Sequence, residues 1–327
     1  MATRPLLVAL AVLLATALLA SAPSRAAALE ERQVAPGAES AIVIDAATGA
    51  VLFERNARVG MHPASLTKMM TALTAVERAP LDRVVKVTHE ISVTPILIGL
   101  EPGDELPLDA ILYGLLLNSG NDAALAIAES VGDGSTGRFV GWMNLLAGRL
   151  GLSSTAHFEN PHGLDAEEHL ASAYDLAIIG RALMREPFLA KVVSEPRHEY
   201  DGAYRWVFRS RNPLLGVYDG VDGIKTGFDD LAGLCLVATA SRDGHRAIAV
   251  VMKSTGFGAD AASLLDYAFE NRRLWPEPVA PADPRRVMPG SRLGMLRADV
   301  SAGGMGAPSQ LLGSLDTGRA ATDRGPS

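Results

Sequence analysis

Three short motifs in a fixed order constrain this chain more than any other feature: Ser65-Leu66-Thr67-Lys68, Ser119-Gly120-Asn121 and Lys225-Thr226-Gly227. Between them they hold the groups that acyl transfer to a serine requires. These are a hydroxyl nucleophile, an amine to take its proton, a second hydroxyl to relay protons, an amide to align the substrate and a cation for a carboxylate. Ser-x-x-Lys and Ser-x-Asn each arise by chance about once in a chain of this length, and Lys-Thr-Gly in roughly one chain in ten. Order and context therefore carry the signal. Pro63 precedes Ser65, and Leu66, Met69, Met70, Leu73 and Val76 recur at helical spacing, which predicts Ser65 in the first turn of a buried helix. Lys68, three residues on, shares its face, so the amine reaches the hydroxyl.

The rest of the chain reads as mixed α and β. Ala41-Ile42-Val43-Ile44 and Val51-Leu52-Phe53 predict two strands joined through Thr48-Gly49, and Leu234 to Ala240 and Ala247 to Met252 predict a second pair turning at Asp243-Gly244. Between them lie mainly helical runs. Leu108 to Leu117 and Ala123 to Val131 are separated by Asn118-Ser119-Gly120-Asn121, a polar break that predicts Ser119 and Asn121 on a loop projecting into a cleft. An antiparallel sheet built from both chain ends with an inserted helical block is an α+β architecture.

Composition excludes some functions. The net charge of −7 argues against nucleic acid and against an anionic membrane bound through a basic patch. The single cysteine, Cys235, rules out an intrachain disulfide and sits in an apolar run, where a buried structural thiol is expected. No His-Glu-x-x-His is present, and His157, His162 and His169 are spaced too loosely for a zinc site, so no metal or other cofactor is expected. A phosphate-binding loop and a Gly-x-Ser-x-Gly elbow are also missing, which leaves Ser65 as the supported nucleophile.

The ends read differently from the middle. Residues 1–28 form a targeting segment: Arg4, an apolar stretch from Leu6 to Ala20, then Ala26-Ala27-Ala28 as a small-residue cleavage site. The stretch is short for a membrane span, though an uncleaved anchor is the alternative. Residues 29–275 are expected to form the catalytic domain. Residues 276–327 are rich in Pro, Gly, Ala and Ser, with Pro276, Pro278, Pro281 and Pro284 closely spaced, and are expected to be disordered or a truncated β domain.

With these motifs in view, the chain resembles D-alanyl-D-alanine carboxypeptidases of the low-molecular-mass penicillin-binding protein class. The likeness rests on Pro63 to Leu73, Leu117 to Ala124, Asn160-Pro161-His162-Gly163-Leu164, Val221 to Phe228 and Ala232 to Ala238, and covers roughly residues 35 to 275. It implies a β-lactamase/transpeptidase-like fold; the cleavable targeting segment for its part predicts an exported, periplasmic enzyme. The implied substrates are peptidoglycan stem peptides ending in D-Ala-D-Ala, with β-lactams as covalent inhibitors. It also implies Ser65 as nucleophile, Lys68 as general base, Ser119 as proton relay and Asn121 as holder of the substrate amide. Lys225, Thr226 and Gly227 would form the carboxylate site, and the backbone N–H groups of Ser65 and Phe228 the oxyanion hole. Gly120 favours this family over class A β-lactamases, which usually have Asp there.

Three departures stand out. Asp229 replaces the family's usual Thr, and Gly256 to Asp260 lacks the arginine that many members use to hold the carboxylate. The tail shows no sustained amphipathic stripe, so weak or absent membrane attachment is expected. A DD-endopeptidase or β-lactamase on the same fold, and a non-catalytic cell-wall binder, remain alternatives; the three intact motifs speak against the last.

Overall fold

The computed structural model describes residues 34–276 apart from 94, 203 and 204; the expected targeting segment, residues 1–28, and the expected tail beyond Pro276 lie outside the described residues. Strands β1 (Ala38–Asp45) and β2 (Val51–Arg55) form the first hairpin. Its turn is closed by the Asp45 carboxylate, which accepts from the Ala47 and Thr48 N–H groups. At the other chain end, β8 (Gly233–Arg242) and β9 (His245–Ser254) pair through Asp243 and Gly244, both at positive φ, the geometry of a tight primed turn.

One further strand joins them. β7 (Val221–Asp229) carries Lys225-Thr226-Gly227 and has no strand-like alternation in sequence, because two glycines, a lysine and two aspartates interrupt it. The sheet runs β2-β1-β9-β8-β7, antiparallel throughout, with Ile42 opposite Val250 where the chain ends meet. β7 is thus an edge strand.

Alternation along the strands divides the core. Ala41, Val43, Leu236, Ala238 and Val251 pack with Leu264 and Leu265 of the last helix, α7 (Phe257–Glu270). Ile42, Ile44, Val237, Ile248 and Val250 face the helical block. Each such buried Ile, Leu or Val contributes roughly 1.5–3 kcal/mol.

The block comprises α1 (Thr67–Arg78), α2 (Leu108–Tyr113), α3 (Asn121–Val131), α4 (Thr136–Leu150), α5 (Ala173–Arg185) and α6 (Pro187–Ser194). Two small hairpins accompany it, β3 (Val84–Lys86) with β4 (Glu105–Pro107) and β5 (Arg197–Asp201) with β6 (Arg205–Arg209). Helix α5 starts on a Ser172/Asp175 capping box and lies on the sheet through Gly180, where a Cβ would come within 3.1 Å of Val237 and 3.2 Å of Ile224. The α+β architecture, with its sheet drawn from both chain ends, is as the sequence predicts. Cys235 is fully buried and its thiol is pushed up to about 12 by burial, so it is a packing residue.

Candidate active site

Ser65 lies just ahead of the helix proper. Ala64–Leu66 form a 3₁₀ turn that runs directly into α1, so Ser65 sits on a tighter turn than an α-helical start would give. Lys68, in the first turn of α1, is fully buried. Its Nζ lies 2.8 Å from Ser65 Oγ, 2.7 Å from Asn121 Oδ1 and 2.7 Å from the His162 carbonyl oxygen. Two of these partners are carbonyls and can only accept; the third is a hydroxyl and can donate. A neutral amine has two N–H donors and one lone pair. Giving the donors to the carbonyls aims the lone pair at the Ser65 proton.

The electrostatics favour that neutral form. Burial holds the Lys68 amine well below its ordinary value, with Lys225 and Arg211 pushing the same way and Asp122 opposing them.

The second motif is not simply a loop. Helix α2 widens into a π-helical turn over Gly114–Asn118, Ser119 takes the left-handed conformation (φ 67°, ψ 31°), and Asn121 is the first residue of α3. A left-handed residue other than glycine costs roughly 1–2 kcal/mol. The Gly120 N–H donates to the Gly114 carbonyl at 3.1 Å and helps hold the turn. Ser119 Oγ is buried with no hydrogen-bond partner, a polar atom held ready for a group that is not part of the protein.

Gly120 has an ordinary φ and is needed for space. A Cβ there would lie 2.8 Å from Ile98 and 2.9 Å from the Asp122 carboxylate. That carboxylate accepts from the N–H groups of Ile98, Gly99, Leu100 and Ala123, fastening the segment that carries Ile96 over the cleft.

The third motif lies alongside the first. Gly227 of β7 passes so near the Ser65 turn that a Cβ would meet Leu66 Cγ and the Pro63 carbonyl at 3.2 Å. An open cleft of about 230 Å³ lies here, lined among others by Ser65, Ile96, Ser119, Arg211, Thr226 and Phe228. Lys225 is 2% exposed, does not line this cleft, and donates to the Thr226 carbonyl at 2.8 Å. Burial, with Arg211 adding to it, lowers its amine to about 7.

The cation on the wall is Arg211, which sequence reasoning missed. Gly256 to Asp260, where many family members hold an arginine, has none; the fold brings one from the segment after β6. Nothing in Arg209-Ser210-Arg211-Asn212 signals this. What places it is Asn212, whose side chain donates to the Gly223 carbonyl of β7 at 2.8 Å.

Asp229 does not line the cleft. Its carboxylate turns back to accept from the Ala232 N–H at 2.6 Å, and burial raises its pKa. The His162 imidazole is lowered to about 4 by burial and by Lys68, and its backbone carbonyl is what serves the site. Among the described residues no group of three or more His, Cys, Asp or Glu side chains could hold a metal ion.

Comparison with known proteins gives the family. Residues 26–256 match the profile of the D-alanyl-D-alanine carboxypeptidase family. The chain belongs to that family.

Within it, the chain is 37% identical over 257 residues to D-alanyl-D-alanine carboxypeptidase DacF of Bacillus subtilis, covering 75% of this chain and 65% of the relative. It is 39% identical over 252 residues to DacA of Escherichia coli, covering 71% and 60%. The match thus spans under two thirds of the length of these relatives. Among solved structures it resembles a D-alanyl-D-alanine carboxypeptidase from Mycobacterium tuberculosis (TM-score 0.67, 32% identity, 72% of this chain and 91% of that one). A Streptomyces DD-transpeptidase aligns as well (TM-score 0.68, 30% identity, 72% and 97%).

Proposed function

We propose that this protein is a serine-type D-alanyl-D-alanine carboxypeptidase that releases the terminal D-alanine of peptidoglycan stem peptides through an acyl-enzyme on Ser65, and that penicillins acylate the same serine. The observation that carries the reading is the three-way setting of Lys68, with two carbonyl acceptors and one hydroxyl around a buried amine.

The steps follow from that setting. Lys68 takes the Ser65 proton as Oγ attacks the carbonyl of the penultimate residue, and the oxyanion is met by the Ser65 and Phe228 backbone N–H groups. Ser119 gives its proton to the departing amine and takes in return the one Lys68 holds; water then hydrolyses the ester, Lys68 taking the water's proton and returning it to Ser65 Oγ. Asn121, oriented by Lys68, aligns the substrate amide. Thr226 binds the terminal carboxylate, Gly227 lets the strand approach, and Lys225 supplies positive charge from behind.

Arg211 is the direct cation for that carboxylate, in place of the arginine missing after β9. Arg211→Ala should raise KM for a D-Ala-D-Ala peptide on the order of 10-fold or more, the scale of a charge-assisted hydrogen bond. Steady-state kinetics with C-terminally amidated and free-acid substrates check this; an unchanged KM for the free acid would place the carboxylate elsewhere.

The decisive assay is purified enzyme with a pentapeptide ending in D-Ala-D-Ala, measuring free D-alanine and, separately, cleavage of cross-linked dimers. D-alanine release without cross-link cleavage is the expected result. Dominant cross-link cleavage would make the protein an endopeptidase.

The protein acts, in this reading, in the periplasm after removal of residues 1–28, with little or no membrane attachment. No helix among the described residues is long and apolar enough to cross a membrane. Sequencing the N-terminus of exported protein should find Leu29 first; an intact Met1 would make the segment an anchor.

A further inference from the structure

His169 is almost wholly buried, outside the three motifs and outside the cleft lining, and both its ring nitrogens are engaged. The Glu159 N–H donates to Nδ1 at 3.0 Å, so Nδ1 carries the lone pair and Nε2 the proton. That Nε2–H lies 2.7 Å from Thr67 Oγ1 and donates to it. Thr67 sits between the nucleophile and the base in sequence. The imidazole therefore joins residues 157–170 to the start of α1 by a buried bond.

Other bonds share the same seam. Thr71 Oγ1 donates to the Pro161 carbonyl at 2.6 Å, and Asn144 of α4 brackets Phe158 by accepting its N–H and donating to its carbonyl. Asn160 folds the tip by accepting the Gly163 N–H and donating to the Leu164 carbonyl. Gly163, at φ +88°, comes so near the nucleophile turn that a Cβ would lie 1.9 Å from the Ala64 carbonyl oxygen. The product of this folding is a single functional contact, the His162 carbonyl on Lys68 Nζ.

We propose that His169 is a positioning residue for the acyl-transfer reaction: its bond to Thr67 clamps the 157–170 segment onto α1 and so keeps the His162 carbonyl seated on Lys68. The proposal rests on the reading of Lys68 as the base. Burial and the neighbouring His162, His62 and His157 hold the His169 imidazole down at about 3, so the clamp stays neutral and in one tautomer across the working pH range.

The clamp does two things for the base. It supplies one of the two acceptors that aim the amine's lone pair at Ser65, and it keeps water off Lys68. The groups facing Lys68 are Ser65, Asn121 and Asp122 of α3, Lys225 of β7, Arg211, and His162 of the clamped segment. Only the last is released when the clamp opens. Water entering there relieves the desolvation that depresses the amine, so the amine must hold its proton to higher pH.

The test is the rate of acylation by labelled penicillin from acid to alkaline pH in wild type, His169→Ala and His169→Gln. His169→Ala should acylate more slowly at neutral pH, on the order of 100-fold for a displaced reacting group, with its ascending limb moved to higher pH. His169→Gln should recover both rate and limb, because a carboxamide can donate to Thr67 and accept from the Glu159 N–H. A wild-type rate in His169→Ala would overturn the proposal. So would a slow His169→Ala whose pH limb has not moved and which glutamine does not rescue, since that is a packing defect. If His169→Ala does not fold, Thr67→Val decides, because it removes the acceptor and keeps the shape; slowing with a shifted limb supports the clamp, and an unmoved limb refutes it. Wild-type protein that takes no label would refute the serine acyl-transfer reading, and the proposal with it.

Discussion

Ser65→Ala should take no covalent label from penicillin and should lose release of D-alanine by a factor on the order of 10⁴ or more, the scale seen when the nucleophile of a serine hydrolase is removed. The expectation rests on exclusivity of geometry. Ser65 Oγ is the hydroxyl in contact with the buried Lys68 amine, at 2.8 Å. Ser119 Oγ, the other serine hydroxyl on the cleft wall, is buried with no hydrogen-bond partner and so has no base to activate it. Thr226 contributes its carbonyl to Lys225. Since the substitution removes one oxygen from a residue at the cleft surface, the fold should survive, and thermal unfolding should show it. Mapping the labelled peptide of the wild type should recover Ser65. A label on Ser119, or one retained in Ser65→Ala, would overturn the assignment.

Lys68→Arg should acylate on the order of 1,000-fold more slowly, since a guanidinium keeps its proton and general-base help of that size is lost. The wild-type pH profile should be bell-shaped, and the direction of each limb follows from which form is active. In the proposed mechanism Lys68 works deprotonated, and its amine lies well below the ordinary value, so the rate rises as pH climbs through that depressed value. In the same proposed mechanism Lys225 works protonated, to attract a carboxylate, and its amine lies at about 7 in the free protein, so kcat/KM falls as pH climbs past that region. A bound carboxylate opposes loss of the Lys225 proton, which should carry the falling limb of kcat to higher pH than that of kcat/KM. Because the Lys225 charge pushes the Lys68 amine down, the two limbs belong to the pair. Acylation rates of wild type and Lys68→Arg across pH 4 to 10 check both statements, and near-normal acylation by the arginine variant would remove Lys68 from the role of base.

Much of this protein was legible along the chain. Ser65 and Lys68 are three residues apart on one helical face, and their hydrogen bond follows from the pitch of a helix once the apolar spacing of Leu66, Met69 and Met70 is seen. The β1–β2 and β8–β9 hairpins were legible too. Short unbroken apolar runs mark their strands, and Asp243-Gly244 marks a turn that needs positive φ at both positions.

What only the tertiary structure decided lies at long range. Asn121 reaches Lys68 across 53 residues and the His162 carbonyl reaches it across 94, and no local pattern records either approach. β7 becomes the cleft edge because β8 pairs with it, although its own glycines and charges hide a strand. Arg211 stands on the wall, and Lys225 behind it, because Asn212 ties that segment to Gly223. Ser119 turns left-handed because a π-helical turn ends there, and His169 meets Thr67 because two distant segments share one buried seam. Backbone periodicity is a local property that spacing encodes; proximity through a packed core depends on every side chain between the partners, and that sum exists only in the folded chain.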